Sequence, residues 1–445
     1  MICSIKGISL YYYSLYQFQS KIVQLYTFFR QEGDIMEQFL KKAKESSRIC
    51  ATLEPKIKKI LLNQMADALN DNTKAIISEN QKDMKKAHED NLNSALIDRL
   101  LLTKERIEAM ATSLKEIAAL KEPVGRVTEG WVVDSGLRIE KVTIPIGVVG
   151  IIYESRPNVT ADAAALCLKS GNVSILKGGK EAENSNKIIA SVLQNVLEKN
   201  NLPKEIISIL PDSSREGVSK LIKMDKFVDL IIPRGGEGLI KYVSANATVP
   251  VVKHDKGLCH TYIDKDADFE KAISIAINAK VQRPGVCNAM ETLLVDEKIA
   301  KDLLPALLFE FQNYGTLLKG CDKTTKIIDI QKATDEDFDT EYLENILSIK
   351  VVNSVEEAIE HIAKYGSGHS EAIISENYTT AEKFLNEVDA AAVYVNASTR
   401  FTDGGEFGFG AEVGISTNKL HARGPMGIND LTTYKYKIYG NGQTR

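Results

Sequence analysis

Five short apolar runs, separated by segments with helical spacing, constrain the middle of this chain more than any other feature. The runs cover 148–152, 173–176, 206–210, 228–232 and 249–252. Between them, apolar residues recur every three or four positions over 160–169, 182–198, 216–222 and 238–246. Buried strands that alternate with helices specify a parallel sheet with crossover helices, which binds dinucleotides beyond the carboxyl ends of its strands. The sequence therefore predicts an α/β fold with a cofactor site at that edge.

Two glycine pairs stand where predicted strands of this sheet end. They are Lys177-Gly178-Gly179-Lys180 and Arg234-Gly235-Gly236. Neither matches the GxGxxG fingerprint, and a glycine pair after a strand is as often a plain turn. Taken alone, these positions are only candidate contacts at the predicted binding edge.

A cysteine in a turn is the strongest candidate for chemistry. Cys287 follows Arg283, Pro284 and Gly285, between a segment with helical spacing and a short apolar run. Proline lacks an amide hydrogen and glycine adopts backbone angles that other residues avoid, so this pair ends the helix and can present the thiol on a constrained loop. Nearby cations lower the pKa of a thiol and make the nucleophilic thiolate available. Free cysteines are also among the most buried residues, so the residues alone leave a structural role open.

Length and composition exclude several classes of protein. A chain of 445 residues is too long for one compact core and predicts two or three domains. A net charge of −4 gives no basic footprint for nucleic acid. The six cysteines show neither close-paired metal spacing nor a disulfide framework, which favours a reducing compartment and a cytoplasmic location.

The first 35 residues differ in composition from the rest. They hold eight of the 30 aromatic residues, but polar residues interrupt them too often for a membrane span or a signal peptide. We expect this segment to be translated upstream sequence, with Met36 as the native start. The codons for Glu32-Gly33-Asp34 back-translate to a purine-rich string that resembles a bacterial ribosome-binding site. A short disordered or partner-binding extension is the alternative, and the intact mass of the protein made from its native gene would decide between them.

Periodicity predicts the remaining elements. Helices are expected within 36–121 and over 297–313 and 356–365, and the acidic stretch 335–339 is expected to be a solvated loop. Alternating residues over 124–146 predict a hairpin, and those over 391–396 predict a strand. The final alternating segment, 432–438, is suited to pairing with the hairpin of a neighbouring subunit.

Several stretches together resemble the aldehyde dehydrogenase superfamily. They are QRPGVCNAMETLLV around Cys287, YESRPNVTADAAALCLKSGN, YGSGHSEAI, and VYVNASTRF with KLHARGPMG. The resemblance runs from about Met36 to the C-terminus. It implies a Rossmann-type cofactor domain (36–123 and 147–253), an α/β catalytic domain (254–428) and a small β oligomerisation arm (124–146 and 429–445). A homo-oligomer, either a dimer or a tetramer, is implied as well.

The resemblance also implies an activity. It points to NADPH-dependent reduction of L-glutamyl 5-phosphate to L-glutamate 5-semialdehyde and phosphate, through a thioester on Cys287, in proline biosynthesis. An association with the upstream glutamate 5-kinase is a further expectation. An aldehyde dehydrogenase that acts on another acyl phosphate or on a free aldehyde is the runner-up.

The same resemblance implies cofactor contacts. Lys177 matches a lysine that holds the adenosine ribose, Gly235 and Gly236 match a turn near the pyrophosphate, and Glu341 aligns with a glutamate that contacts the nicotinamide ribose. In folds that bind NAD, an acidic residue often holds the ribose hydroxyls at this position. Here two lysines stand there instead, which suits a 2′-phosphate and favours NADP, although Glu181 follows directly. The expected contacts are Lys177, Gly178, Lys180, Arg234, Gly235, Gly236 and Glu341.

Catalytic and substrate contacts complete the expected site. Beside Cys287, whose own amide is an expected oxyanion donor, Ser155 or Asn158 is expected to hold the oxyanion. Arginines offer the flat, bidentate geometry that phosphate and carboxylate prefer. The expected substrate contacts are Arg156, Arg283, His369, Asn396, Ser398, Arg400, His421 and Arg423.

The residues leave other interpretations open. Cys167 is predicted to lie in the core and Cys259 on a strand, both as structural residues. A metal site built from Cys259, His260 and Cys287 is disfavoured because the spacing lacks a compact CxxC or HxxxH element. A non-enzymatic protein that has kept the fold is the other alternative. Where hydrolytic aldehyde dehydrogenases carry a water-activating glutamate, this chain has His254, with Asp255 next to it.

Overall fold

The computed structural model describes residues 35–253 and 256–445, so the segment expected to be translated upstream sequence lies outside the described residues apart from Ile35. The helices are α1 (35–50), α2 (Pro55–Asp71), α3 (Thr73–Glu89), α4 (Ser94–Leu100), α5 (Lys104–Ala119), α6 (Asn158–Lys169), α7 (Glu183–Lys199), α8 (Arg215–Leu221), α9 (Glu237–Asn246), α10 (Phe269–Val281), α11 (Glu297–Asn313), α12 (Asp335–Phe338), α13 (Val355–Tyr365) and α14 (Tyr378–Glu387). The strands are β1 (Val127–Val132), β2 (Arg138–Pro145), β3 (Val148–Tyr153), β4 (Val173–Lys177), β5 (Ile207–Ile209), β6 (Leu230–Arg234), β7 (Cys259–Ile263), β8 (Met290–Asp296), β9 (Leu317–Gly320), β10 (Gln331–Lys332), β11 (Ile346–Val352), β12 (Ser370–Ile374), β13 (Ala392–Val395), β14 (Gly414–Ser416), β15 (Gly424–Met426) and β16 (Thr432–Tyr439). Among these residues, no helix is long and apolar enough to cross a membrane.

The first parallel sheet has the strand order β5-β4-β3-β6. Every residue of β3 is buried, and the sheet shares one hydrophobic core with helices α1, α2, α5, α6 and α7. The predicted alternation of strands and helices is confirmed, and so is the core position of Cys167. The run 249–252 forms only a parallel bridge between Ile231 and Val251. Pro250 lies inside that run and has no amide hydrogen to donate to a ladder, which accounts for the lost strand.

The second sheet carries the stretch around Cys287. Its order is β10-β9-β11-β8-β7-β12-β13, and its strands pair in parallel. Strands β7, β8 and β12 are buried along their whole length, which confirms the strand predicted for Cys259. The predicted loop at 335–339 is wrong, because α12 forms there with a capping box between Thr334 and Asp337 and buries Phe338.

A third, antiparallel sheet has the order β1-β2-β16. Strand β16 pairs with β2 of the same chain, from Thr432 opposite Pro145 to Tyr439 opposite Arg138. The predicted hairpin is confirmed, but the expected partner of the last strand is corrected: it completes its own hairpin. Both faces of β1 are exposed, so this sheet stands away from the main core.

Candidate active site

Cys287 lies in a turn between α10 and β8, as predicted. The amide of Ala289 donates to the carbonyl of Val286 at 3.0 Å and closes the turn. On its two sides, Lys280 of α10 and Glu291 of β8 form an ion pair at 2.7 Å, with both side chains fully buried. Losing one partner of a buried ion pair strongly destabilises the fold, because the other charge is left buried without its partner. The pair therefore links the two ends of the turn.

Gly257 packs directly against the Cys287 turn. A Cβ at this position would overlap the main chain of Cys287, so only glycine fits the approach. The amide of Gly257 donates to Oε1 of Glu341 at 2.9 Å. The expected nicotinamide-ribose contact is therefore held next to Cys287.

Asn288 joins the turn to the loop after β13. Its side-chain amide donates to the carbonyls of Thr402 at 2.9 Å and Arg400 at 3.3 Å, and its Oδ1 accepts from the Arg400 guanidinium. The main-chain carbonyl of Asn288 accepts from the Thr399 hydroxyl at 2.7 Å. Arg400 also donates to Gln282 at 2.8 Å. These bonds fix Arg400 beside Cys287.

Burial is the main cause that raises the pKa of the Cys287 thiol to about 12. The carboxylates of Glu341 and Glu412 raise it further, while Arg234 and the amide of Cys287 itself lower it. The sequence indicated the neighbouring Arg283 as the activating cation, but the guanidinium that most lowers the pKa of the thiol is that of Arg234, at the end of β6. In the absence of ligands, the thiol form therefore predominates at neutral pH.

Four arginines surround this turn. The pKa of Arg156 is lowered by desolvation and by repulsion from Arg234, Arg99 and Arg283. The pKa of Arg400 is lowered by desolvation and by Arg283, while the nearby Cys287 favours the charged form of both groups. Within residues 35–253 and 256–445, the guanidinium groups of Arg156 and Arg283 have no hydrogen-bond or ion-pair partner. Two crowded, unneutralised cations at one site favour a multiply charged anionic ligand.

The expected oxyanion donors have other partners. Ser155, held at a φ of 43°, donates both its amide and its hydroxyl to Oε1 of Glu181 at 2.7 Å. The side chain of Asn158 donates to Asp162 at 3.1 Å. Both donor groups of Ser155 are thus committed away from Cys287, whereas the Cys287 amide faces its own sulfur.

Most of the remaining expected substrate contacts are engaged within the fold. Asn396, at a φ of 52°, bonds both main-chain groups of Ser375 at 3.0 Å and so joins the ends of β12 and β13. The hydroxyl of Ser398 accepts from the Arg400 amide. His369 is fully buried next to β12, behind the turn, and its expected contact with substrate stays a prediction.

The last two expected substrate contacts, His421 and Arg423, lie near the C-terminus and have partners of their own. His421 bonds the main-chain carbonyl of Asp430 at 2.7 Å, and Arg423 pairs with Asp389 at 2.8 Å. In the described part of the chain, neither shares a hydrogen bond or ion pair with the Cys287 turn, although the guanidinium of Arg423 lies near Gly368, the neighbour of His369. Their expected contacts with substrate stay predictions.

Apart from Glu341, the expected cofactor residues lie along the carboxyl ends of β4 and β6. A groove at the ends of β4 and β5 is lined by Lys177, Gly178, Gly179, Leu210, Pro211 and Ser213. A Cβ at Gly178 would overlap the side-chain amide of Asn186, and one at Gly235 would crowd the carboxylate of Glu154, so either substitution would displace a neighbouring side chain. The amide of Gly236 donates to Glu154 at 2.9 Å at the start of α9, and Lys180 is exposed.

Some functional candidates carry no signal in the sequence. Glu412 raises the pKa of Cys287 although it lies 125 positions further along the chain. It stands in a glycine-rich loop, where the amide of Gly404 donates to its Oε2 at 2.9 Å. Asn288 and Gln282 were visible in the motif around Cys287, but their role as a cradle for Arg400 appears only in three dimensions. Residues His254 and Asp255 lie outside the described residues.

A family model described as the aldehyde dehydrogenase family matches residues 23–344 and 326–436. The chain belongs to the aldehyde dehydrogenase family. Within this family, the chain is 73% identical to the gamma-glutamyl phosphate reductase of a Nitratiruptor species, over 411 residues that make up 92% of this chain and 100% of the relative. It is 70% identical over 410 residues to the protein of the same name from Sulfurimonas denitrificans, with 92% and 100% covered.

Solved structures agree with this placement. The crystal structure of gamma-glutamyl phosphate reductase from Thermotoga maritima matches with a TM-score of 0.91 at 48% identity, and covers 92% of this chain and 99% of that one. The glyceraldehyde-3-phosphate dehydrogenase GapN of Methanocaldococcus jannaschii, complexed with NADP, matches with a TM-score of 0.65 at 18% identity, over 92% of this chain and 94% of that one. The second match shows the shared fold alone. The aldehyde dehydrogenase fold predicted from the sequence is confirmed.

Proposed function

We propose that this enzyme reduces L-glutamyl 5-phosphate to L-glutamate 5-semialdehyde and phosphate with NADPH, as a cytoplasmic, homo-oligomeric enzyme of proline biosynthesis. The observation that carries the proposal is the 73% identity to a gamma-glutamyl phosphate reductase over that relative's whole length. The site supports it, because unpaired arginines next to a turn cysteine suit an acyl phosphate. Binding of a glutamate 5-kinase stays a prediction.

Acylation of Cys287 is the first step of the proposed reaction. The sulfur attacks the carbonyl carbon of the acyl phosphate, the bond from that carbon to the phosphate oxygen breaks, and phosphate leaves as the thioester forms. Arg156, Arg283, Arg234 and Arg400 supply the positive charge for phosphate and the substrate carboxylate. Because the thiol of the free enzyme has a raised pKa, Glu341 or Glu412 is the group available to receive its proton.

The developing oxyanion needs donors that are not already used. The amide of Cys287 faces the sulfur and is the donor best placed for this role. The side chain of Asn158 is exposed and would have to leave Asp162 to serve as the second donor. Ser155 would have to give up Glu181, so we favour Asn158 of the two.

The described residues fit a nicotinamide cofactor. The groove at the ends of β4 and β5 leaves space beside Lys177, and the glycine turn after β6 opens onto the start of α9. NADPH, when bound, supplies the hydride that reduces the thioester carbonyl. Lys177 and Lys180 would hold the adenosine ribose and its 2′-phosphate, Gly178 and Arg234 would flank the cofactor, and Glu341 would contact the nicotinamide ribose.

Cys287 is released in the last step. The reduced carbonyl carbon breaks its bond to the sulfur, the aldehyde leaves, and the sulfur takes back a proton as the thiol. Glu341 and Glu412 lie close enough to influence that sulfur, and burial raises the pKa of both carboxyl groups, which suits them to return a proton.

The proposal is tested in the reverse direction with purified enzyme, glutamate 5-semialdehyde and NADP. We expect NADPH formation to depend on inorganic phosphate, with arsenate able to replace it, because these anions accept the acyl group from the thioester. Without either anion, the reaction should stop after about one NADPH per active site as acyl-enzyme accumulates.

Two results would contradict the proposal. Steady turnover to free glutamate without phosphate would favour an ordinary aldehyde dehydrogenase. A Cys287→Ala variant that keeps substantial activity would move the chemistry elsewhere. We expect that variant to be inactive yet to bind NADPH with an unchanged Kd, since it removes the nucleophile and little packed volume.

A further inference from the structure

A chain of buried polar groups lies directly behind the nucleophile turn. The Sγ of Cys259, at the start of β7, donates to the main-chain carbonyl of Cys287 at 3.2 Å and lies 3.7 Å from Nδ1 of His369. Cys259 and His369 are both fully buried. A core packed only for shape would not need a donor at this carbonyl.

The remaining bonds form a chain of hydroxyl groups that ends at His369 and bears on where the Cys259 proton goes. The hydroxyl of Tyr394 meets that of Thr402 at 2.7 Å, Thr402 meets Ser370 at 2.7 Å, and Ser370 meets Nδ1 of His369 at 2.7 Å. If each hydroxyl donates to the next group, the chain ends on Nδ1, which is then an acceptor already satisfied. The thiol proton of Cys259 is left for the carbonyl of Cys287, which is also the nearer group.

We propose that Cys259, supported by His369, is a positioning residue that fixes the peptide plane of Cys287 through its main-chain carbonyl. Because the described peptide bonds are all trans, a carbonyl that points to β7 turns the amide of Asn288 the opposite way. The hydrogen bond from Cys259 thereby fixes the orientation of the peptide group between Cys287 and Asn288. Burial, the largest cause that raises the pKa of Cys259, keeps it a thiol with a proton to donate.

This inference rests on the proposed role of Cys287, and it gives Cys259 more than the structural role expected from the sequence. It predicts different effects on activity for Cys259→Ala and Cys259→Ser, although both remove the sulfur. The serine hydroxyl can still donate to the carbonyl, whereas alanine cannot.

The experiment compares the two variants in kcat, in KM for NADP and in the rate at which iodoacetamide alkylates Cys287. For Cys259→Ala, we expect kcat and the alkylation rate to fall about five- to tenfold, as for one lost hydrogen bond, with KM within about twofold. Cys259→Ser should stay within about threefold of the unmodified enzyme.

A matched control separates positioning from stability. Cys50 is another fully buried cysteine whose Sγ donates to a main-chain carbonyl, that of Asn172 at 3.4 Å, but in the core of the first sheet. Cys50→Ala should lower Tm and leave kcat unchanged. Equal kcat for Cys259→Ala and the unmodified enzyme, or equal losses in the alanine and serine variants, would overturn the inference.

His369 gives a second, independent comparison if Cys259→Ala fails to fold. His369→Asn can place an amide oxygen near the position of Nδ1, whereas His369→Leu cannot accept from Ser370. We expect kcat to be retained better in the asparagine variant, and equal values would count against the proposal. If Cys287→Ala is active, the proposed role of Cys287 fails; if it is inactive while Cys259→Ala behaves as the unmodified enzyme, only this inference fails.

Discussion

Glu341 is the charged group that most strongly raises the pKa of Cys287, after burial itself. Glu341→Gln removes that negative charge and keeps an oxygen for the amide of Gly257. Because the thiolate is then less disfavoured, the thiol pKa falls and the thiolate fraction at a given pH rises. We predict that iodoacetamide alkylates Cys287 of this variant about three- to tenfold faster at pH 8.

The control for this prediction is Glu336→Gln, which neutralises an exposed acid of α12. Its alkylation rate should equal that of the unmodified enzyme. Below the thiol pKa, both rates should rise with pH, since alkylation requires the thiolate. A Glu341→Gln variant that reacts no faster than the control would show that burial alone sets the reactivity of Cys287.

At the level of elements, the buried pair of Lys280 and Glu291 connects α10 to β8. Glu291 also accepts from the amide of Leu343 at 3.3 Å, so one carboxylate holds the Cys287 turn and the segment after Glu341. Burial raises the pKa of Glu291 to about 7 and lowers that of Lys280. We predict that Lys280→Met costs about 3–5 kcal/mol of stability because it leaves a buried carboxylate without its cation.

A second change should recover part of that loss. Adding Glu291→Gln removes the stranded charge while an oxygen remains for Leu343, so the double variant should have a higher Tm than Lys280→Met alone. The exposed pair of Lys187 and Glu183 is the control, and Lys187→Met should change stability by less than about 0.5 kcal/mol. Additive losses in the double variant would contradict the coupling.

We predict that the turn after β4 carries a preference for NADP. Changing both Lys177 and Lys180 to alanine should raise the Kd for NADPH more than that for NADH, because only NADPH has the 2′-phosphate that these cations would pair with. The carboxylate of Glu181 is held by Ser155 and does not compete for the ribose in this arrangement. Equal losses for the two cofactors, measured by fluorescence titration, would leave the lysines as general contacts.

Across the whole molecule, the last strand completes a sheet that begins about 300 residues earlier. A chain that ends at Leu431 leaves the edge of β2 unpaired over eight residues and exposes its backbone groups. We predict a lower Tm and a changed elution volume in size-exclusion chromatography. A chain that ends at Tyr439 keeps β16 and serves as the control, and identical behaviour of the two would show that β16 adds no stability.

Much of the fold follows from local pattern. The alternation of strands and helices, the hairpin and the bounds of α11 could be read from the spacing of apolar residues, because each element buries one face or stripe. The pattern failed at 249–252, where a proline removes a ladder donor, and at 335–339, where four acidic residues concealed a capped turn around Phe338. Both failures concern short elements, in which a single residue decides the outcome.

The sequence by itself indicated the family, through short motifs, and predicted Cys287 as the nucleophile and the edge of the sheet where a cofactor belongs, because these inferences depend on residues that are close together in the chain. Only the tertiary structure decided which groups face Cys287. Arg234, Glu412 and Cys259 reach it from three separate segments, while His369 turned out to be buried and Ser155 engaged with Glu181. Charge and hydrogen bonding act through space, so distance along the chain carries little information about them.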